Sequence, residues 1–133
     1  MREIKFRGQR VDNGKWFYGY PIKQFGVLKI YQDQETKDFG EWIYEVKPET
    51  IGQYTGLKDN NDKEIYEGDM VQYKNSIEHG IGEVVFDNCG FEFNWLDRNE
   101  FPTSMKYLMC SSELEIIGNI YENPELLEVR NED

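Results

Sequence analysis

The sequence predicts a mostly β protein whose second half folds as a small SH3-like barrel. Short segments alternate apolar and polar residues, which is the period of a strand with one buried face. Asn, Asp and Gly separate these segments at short intervals, as turns between neighbouring strands require. A pattern typical of helix occurs only near the end of the chain. Together these observations favour antiparallel sheets over any helical architecture.

The first strands form a predicted hairpin over residues 3–20. Asp12-Asn13-Gly14 is a strong turn signal, because Asn and Gly tolerate positive φ, and it leads directly into an aromatic run. Ile4 and Phe6 alternate with Lys5 and Arg7, so we expect a first strand with one buried face.

Two further strands are predicted before residue 50. Val27 to Tyr31 is a short β-prone run, and residues 32–40 are polar and charged, as expected of a loop. The alternation from Trp42 to Val46 then predicts a strand that Pro48 ends. We interpret the aromatic rings of this half as core-forming. Stacking on nucleic-acid bases would use the same residue types.

The second half carries the strands of the predicted barrel. Gly68-Asp69 forms a corner that opens a strand, and residues 82–86 and 90–96 flank a four-residue turn as the clearest hairpin of the chain. Residues 107–109 and 114–117 supply further short strands, which brings the count to about five. We expect burial of six side chains: Val71, Tyr73, Val84, Phe86, Phe93 and Ile116.

The end of the chain predicts one short helical turn. Asn123-Pro124-Glu125 combines an N-cap residue, a proline at the first helical position and a carboxylate near the positive end of the helix dipole.

Charge is unevenly distributed. Residues 1–50 carry nine basic and eight acidic side chains, and residues 51–133 carry six basic and eighteen acidic ones, so the halves have net charges of +1 and −12. An acidic second half repels phosphate backbones. Solubility explains this distribution most simply; self-association of a basic edge with an acidic face, or mimicry of nucleic acid toward a basic host protein, are the alternatives.

No pattern typical of an enzyme, a metal site or a cofactor site is present. Residues 59–62 resemble the start of a calcium loop, but the later ligand positions of that motif are absent. Cys89, Cys110 and the single histidine, His79, are too few and too far apart in sequence for a zinc site. His79, which we expect in an exposed loop, has no orienting partner for general base catalysis. We therefore predict a non-enzymatic protein without a cofactor or metal.

We expect the protein to act in the cytoplasm of a bacterial host. No apolar run approaches the ~18 residues of a membrane span, and the first residues lack the apolar stretch of a signal peptide.

Four segments resemble the YopX family of phage and prophage proteins: residues 1–7 (MREIKFR), 48–71 (PETIGQYTGLKDNNDKEIYEGDMV), 82–86 (GEVVF) and 114–127 (LEIIGNIYENPELL). The resemblance implies an α+β fold, mostly β, with an N-terminal α+β lobe (residues 1–66) followed by a C-terminal SH3-like barrel (residues 67–133). It also implies a phage or prophage of a low-GC Gram-positive host. It transfers no catalytic residue, because the family supplies none.

The segment from residue 50 to 68 is the candidate site, although we interpret it as structural. The three glycines of this segment fit places where the backbone bends, and residues 59–62 fit a turn. A functional interpretation would have Gln53, Tyr54, Thr55 and Asp69 line a ligand pocket.

These observations lead to a functional expectation: a phage accessory protein that binds a protein, either itself or a host factor. Nucleic-acid binding through the basic N-terminal hairpin is the alternative, and the acidic charge of the chain counts against it. An unrecognised enzyme with a concave pocket of converging carboxylates is the third class.

Overall fold

The structure is a computed structural model that describes residues 4–32, 42–74, 79–87, 90–97, 102–105 and 114–131. The chain divides into two compact units, Met1–Tyr54 and Thr55–Asp133, and the division lies inside one strand. The lobes 1–66 and 67–133 expected from the sequence stay a prediction.

The first unit is an antiparallel sheet in the order β4-β3-β2-β1-β5. Its strands are β1 (Phe6–Gln9), β2 (Trp16–Gln24), β3 (Val27–Tyr31), β4 (Ile43–Glu45) and β5 (Gly52–Lys58), with a 3-10 helix (Pro48–Thr50) before β5. The predicted hairpin over residues 3–20 and the predicted strand at residues 27–31 are confirmed. So is the strand that ends before Pro48. The loop predicted for residues 32–40 lies almost entirely outside the described residues.

The sheet of the first unit is curved, so that the residues directly after β4 pair with the residues directly after β1. Arg10 and Val46 form an antiparallel bridge, and the backbone N–H of Lys47 donates to the carbonyl oxygen of Gln9 at 2.9 Å. The concave face holds the core, formed by Phe17, Ile30 and Val46 with Leu28, Tyr44 and Ile51 against them. Gly19 lies where a Cβ atom would come within 2.1 Å of the carbonyl oxygen of Tyr31, so the curvature requires glycine there.

The predicted faces of β1 are confirmed for Phe6, which lies opposite Gly19 on the face of Phe17, and for Arg7, which lies opposite Tyr18 on the other face, but the burial differs from the prediction. Ile4 is 55% exposed, whereas Arg7 is only 5% exposed. The guanidinium carbon of Arg7 lies 4.4 Å from the centroid of the Trp16 ring, which is the geometry of a cation–π contact. An arginine stacked on a ring buries its side chain through contacts that an apolar-polar pattern does not reveal.

The predicted α+β class is also wrong, because the part of the chain that the structure describes contains no α-helix. The described residues of the first unit instead form β-strands and a 3-10 turn. Aromatic and β-branched residues, interrupted by glycines, are frequent along this part of the chain. Residues of these types favour strands over helices. The protein is therefore nearly all β, built from antiparallel sheets.

The second unit contains a five-stranded antiparallel sheet in the order β10-β9-β8-β7-β11. After the second half of β5 and β6 (Glu64–Tyr66), its strands are β7 (Asp69–Lys74), β8 (His79–Asp87), β9 (Gly90–Trp95), β10 (Thr103–Ser104) and β11 (Leu114–Asn119), followed by a 3-10 helix (Pro124–Asn131). The clearest predicted hairpin, the strand at residues 114–117 and the helical turn after Asn123 are confirmed. The SH3-like closure stays a prediction, and the strand predicted at residues 107–109 lies outside the described residues.

The core of the second unit confirms most of the predicted burial. Val71, Val84 and Phe93 are fully buried, and Tyr73 and Ile116 pack against them half-buried. The predicted burial of Phe86 is wrong, because this side chain is 51% exposed. It shares a face with Val84 but lies near the end of β8, where its ring centroid is 5.0 Å from that of Phe91.

The Gly-Asp corner opens β7 as the sequence predicts. Gly68 has φ of +94°, and its N–H donates to the carbonyl oxygen of Val84 at 2.8 Å. The carboxylate of Asp69 accepts a hydrogen bond from the backbone N–H of Tyr66 at 2.8 Å. This corner therefore orients the first strand of the five-stranded sheet.

Candidate binding surface

The four residues singled out from the sequence do not converge in one unit. Gln53 and Tyr54 belong to the first unit, whereas Thr55 and Asp69 belong to the second. Gln53 is half-buried and lies opposite Phe6 in the register of β1 and β5. Tyr54 is 5% exposed, with the ammonium of Lys5 5.5 Å from its ring centroid.

The two residues in the second unit have evident structural partners. The hydroxyl of Thr55 donates to the carbonyl oxygen of Ile65 at 2.8 Å and accepts from the N–H of Leu57 at 3.1 Å. Asp69 is 2% exposed and accepts the N–H of Tyr66. A ligand pocket at these four residues stays a prediction, and their contacts favour the structural interpretation of the segment.

The convex face of β2 presents a row of exposed apolar side chains. Tyr18, Tyr20 and Ile22 are 40%, 39% and 40% exposed, and they alternate with Phe17, Gly19 and Pro21 on the opposite face. Successive side chains on one face of a strand stand about 7 Å apart. We name the surface formed by Tyr18, Tyr20, Ile22, Phe25 and Tyr31 the aromatic strip.

The neighbouring strand completes this surface. Tyr20 lies opposite Tyr31 in the register of β2 and β3, and their ring centroids are 5.7 Å apart. Ile22 lies opposite Lys29, so that an apolar side chain and an ammonium stand side by side. Residues 14–32 contain three lysines and no acidic residue. The aromatic strip is therefore apolar at its centre and positively charged at its margin.

Phe25 occupies an unfavourable position at the tip of the same hairpin. Its ring is 96% exposed, and its backbone has φ of 53°, a left-handed conformation that phenylalanine rarely adopts. Gly26 follows with φ of 78°, so the two residues form the two-residue turn that Asn-Gly usually supplies. A residue that combines a strained backbone with an exposed apolar ring is a candidate for a functional contact.

We expect the variant Phe25→Asn to be at least as stable as the parent protein. Asn adopts the left-handed conformation more readily, and the ring it replaces buries almost nothing, so a gain of about 0.5–1 kcal/mol is expected. A thermal scan followed by circular dichroism measures this difference. A lower melting temperature would show that the Phe25 ring supports the fold.

Two other cations of the N-terminal hairpin are engaged within the first unit. Arg10 donates two hydrogen bonds to the carboxylate of Asp12, at 2.9 and 2.6 Å, and its guanidinium carbon lies 3.5 Å from the Tyr44 ring centroid. The hydrogen bond from Arg10 lowers the pKa of Asp12 against the opposing effect of burial. Arg7 is stacked on Trp16. Arg7 and Arg10 thus contribute contacts that stabilise the first unit.

The described residues contain neither a candidate metal site nor a helix that could span a membrane. His79 begins β8 opposite Lys74, and it is exposed, although the sequence predicted a loop. Cys89 and Cys110 lie outside the residues that the structure describes. Among those residues no three His, Cys, Asp or Glu side chains cluster as metal ligands would. Within the same ranges no helix has the length and apolarity needed to cross a membrane.

Comparison with known proteins identifies relatives of this chain. The model of a family described as "YopX protein" matches residues 5–128. The crystal structure of protein EF1440 from Enterococcus faecalis aligns with a TM-score of 0.58 and 26% sequence identity, over 96% of this chain and 100% of that one. The search of curated proteins gave no match.

Proposed function

The chain belongs to the YopX family, and from this premise we propose that it is a phage or prophage accessory protein that binds another protein without catalysing a reaction. The aromatic strip is the binding surface in this proposal. The observation that carries it is the row of exposed side chains on β2 together with the strained, exposed Phe25. The bacterial cytoplasm is the compartment that we propose for this interaction.

The composition of the strip supports a protein partner. Tyrosine and phenylalanine are enriched at the centre of protein interfaces, and tyrosine is enriched among the residues that dominate binding energy. Such rings offer large contact area at a small cost in side-chain entropy. The partner we propose presents apolar side chains surrounded by carboxylates, because lysines and no acidic residues accompany the strip.

A photo-crosslinking experiment tests this proposal. Tyr20 is replaced by benzoylphenylalanine in the full chain, and Asn61, an exposed residue of the turn at residues 59–62, is replaced in the matched control. After irradiation in host cells we expect one discrete protein adduct from position 20 and none from position 61. Mass spectrometry of the adduct is expected to locate the crosslink in an acidic segment. Absence of a protein adduct from position 20 would overturn the proposal.

Nucleic-acid binding is the second candidate, because tyrosines and lysines also compose single-strand binding surfaces. Two observations count against it. The net charge of the chain is −11, and Arg7 and Arg10 are held by Trp16 and Asp12. We expect no electrophoretic shift of single-stranded DNA or RNA even at ~50 mM salt, where phosphate contacts are strong. A shift that salt abolishes would favour this candidate instead.

A further inference from the structure

The chain itself carries a surface of the kind that we propose the aromatic strip binds, with an apolar side chain among carboxylates. The second unit contains six basic and eighteen acidic side chains. On β8 the half-buried side chains of Glu83 and Val85 alternate with buried neighbours and share one face of the five-stranded sheet, where Glu83 lies opposite the buried Met70 of β7. Glu92 of β9 lies directly opposite Val85 on that face. We name Glu83, Val85 and Glu92 the carboxylate face.

We propose that the aromatic strip of one copy binds the carboxylate face of a second copy. This inference rests on the proposed function, since it names the partner of the same surface. The two surfaces match in their local pattern: Ile22 stands beside Lys29 across β2 and β3, and Val85 stands beside Glu92 across β8 and β9. Cross-strand neighbours of this kind lie about 5 Å apart. Ile22 against Val85 therefore brings Lys29 toward Glu92.

The electrostatics of the carboxylate face favour an incoming cation. Burial, and secondarily the charge of Glu67, raises the pKa of the Glu83 carboxyl. An ammonium placed beside this face by another copy would offset both effects, and opposite charges at an interface set the orientation of the partners.

Phe25 is the anchor of this contact. A ring that is 96% exposed at a hairpin tip projects beyond the sheet that carries it, and aromatic side chains that enter a partner surface contribute most of the binding energy. The exposed ring and strained backbone at Phe25 are explained if the ring is buried only in the assembly.

The geometry of the contact determines how copies assemble. The strip of one copy binds the carboxylate face of another, so copies form a reciprocal two-fold dimer, a closed ring or a line. Each copy has a net charge of −11, so long-range repulsion opposes assembly at very low salt. At ~150 mM salt this repulsion is screened beyond about 8 Å, whereas direct contacts persist.

Sedimentation velocity on a charge-reversal series tests the inference. At ~10–200 µM protein and ~150 mM salt we expect the parent protein to associate in a concentration-dependent manner. Lys29→Glu is expected to be monomeric, because its strip and its carboxylate face are then both acidic. Glu92→Lys is expected to be monomeric, because its strip and its carboxylate face then both present a lysine and repel each other. An equal mixture of the two variants restores a positive charge opposite a negative one, and we expect it to associate.

The outcomes separate this inference from the proposed function. A parent protein that stays monomeric throughout this range, or a mixture that stays monomeric while the parent associates, overturns binding between copies. If position 20 nevertheless crosslinks to a different protein, the proposed function stands and only the identity of the partner is wrong. Phe25→Asn provides a further check, because a folded variant that associates as strongly as the parent excludes the ring as an anchor.

Discussion

Replacing Asp59 with alanine is expected to lower the free energy of unfolding by about 3–5 kcal/mol, because three backbone donors lose their acceptor. One carboxylate oxygen accepts the N–H groups of Asn61 and Lys63, at 2.8 and 2.9 Å. The other accepts the N–H of Ile116 in β11 at 3.0 Å. Asp59 is only 7% exposed, so little water can take its place. Urea denaturation of the parent and the variant measures the loss.

The same carboxylate makes the loss dependent on pH. Burial opposes ionisation of Asp59, but the three backbone hydrogen bonds outweigh it, so its pKa lies below the ordinary value. A lowered pKa in the folded state adds stability above the unfolded-state pKa of about 3.9, and this stability disappears as the pH falls through the folded-state pKa. The difference between parent and Asp59→Ala is therefore expected to be full at pH 7 and to shrink below about pH 4.

Asp62 provides the matched control. It lies in the same turn, and its side chain is 85% exposed and forms an ion pair with Lys58 at 3.7 Å. Its backbone has φ of 65°, which asparagine tolerates, so Asp62→Asn removes the charge without straining the turn. We expect a change of less than about 0.5 kcal/mol. A comparable loss in both variants would mean that charge, and not the hydrogen bonds of Asp59, stabilises the turn.

The turn at residues 59–62 illustrates how much of the fold the sequence could predict. Its polar composition predicts a reverse turn and excludes a calcium loop, and the structure has a turn there. The hydrogen bond to Ile116 joins residues 57 positions apart, and no local pattern contains that information. Strand positions were predictable because alternation is local, whereas the partner of each side chain depends on the register between distant strands.

The binding surface was the least predictable feature for the same reason. Tyr18 and Phe17 are neighbours in one aromatic run, yet one is exposed and the other belongs to the core. An interpretation of every ring as core-forming is therefore right for Phe17 and wrong for Tyr18. The signal that the sequence does contain is Phe25-Gly26, where a hairpin turn has phenylalanine in the place that asparagine usually takes.

In the segment from residue 50 to 68, the sequence predicts interactions between residues that are close in the chain but not those between strands. The sequence predicts that Asp69 accepts hydrogen bonds from nearby amides, and the N–H of Tyr66 donates to it. It does not reveal that Thr55 bonds to the backbone of Ile65 in the adjacent strand. These bonds favour a structural interpretation, which variants of Tyr66 test most directly.

Replacing Tyr66 with alanine is expected to cost about 3–5 kcal/mol, which is the usual effect of deleting a fully buried aromatic ring. Tyr66 is 2% exposed and is among the largest fully buried side chains in the described part of the chain. It ends β6 directly before the Gly68-Asp69 corner, so a cavity there also loosens the entry into β7. Thermal unfolding monitored by circular dichroism measures the change.

Tyr66→Phe separates the ring from its hydroxyl. The hydroxyl donates to the carboxylate of Glu64 at 3.1 Å, a partly buried hydrogen bond whose loss is expected to cost about 0.5–1.5 kcal/mol. The aromatic strip lies on other strands, so folded Tyr66→Phe is expected to give the same crosslinked adduct from position 20 as the parent. If instead Tyr66→Phe keeps its melting temperature but loses that adduct, the segment around β6 contributes to binding and the structural interpretation is wrong.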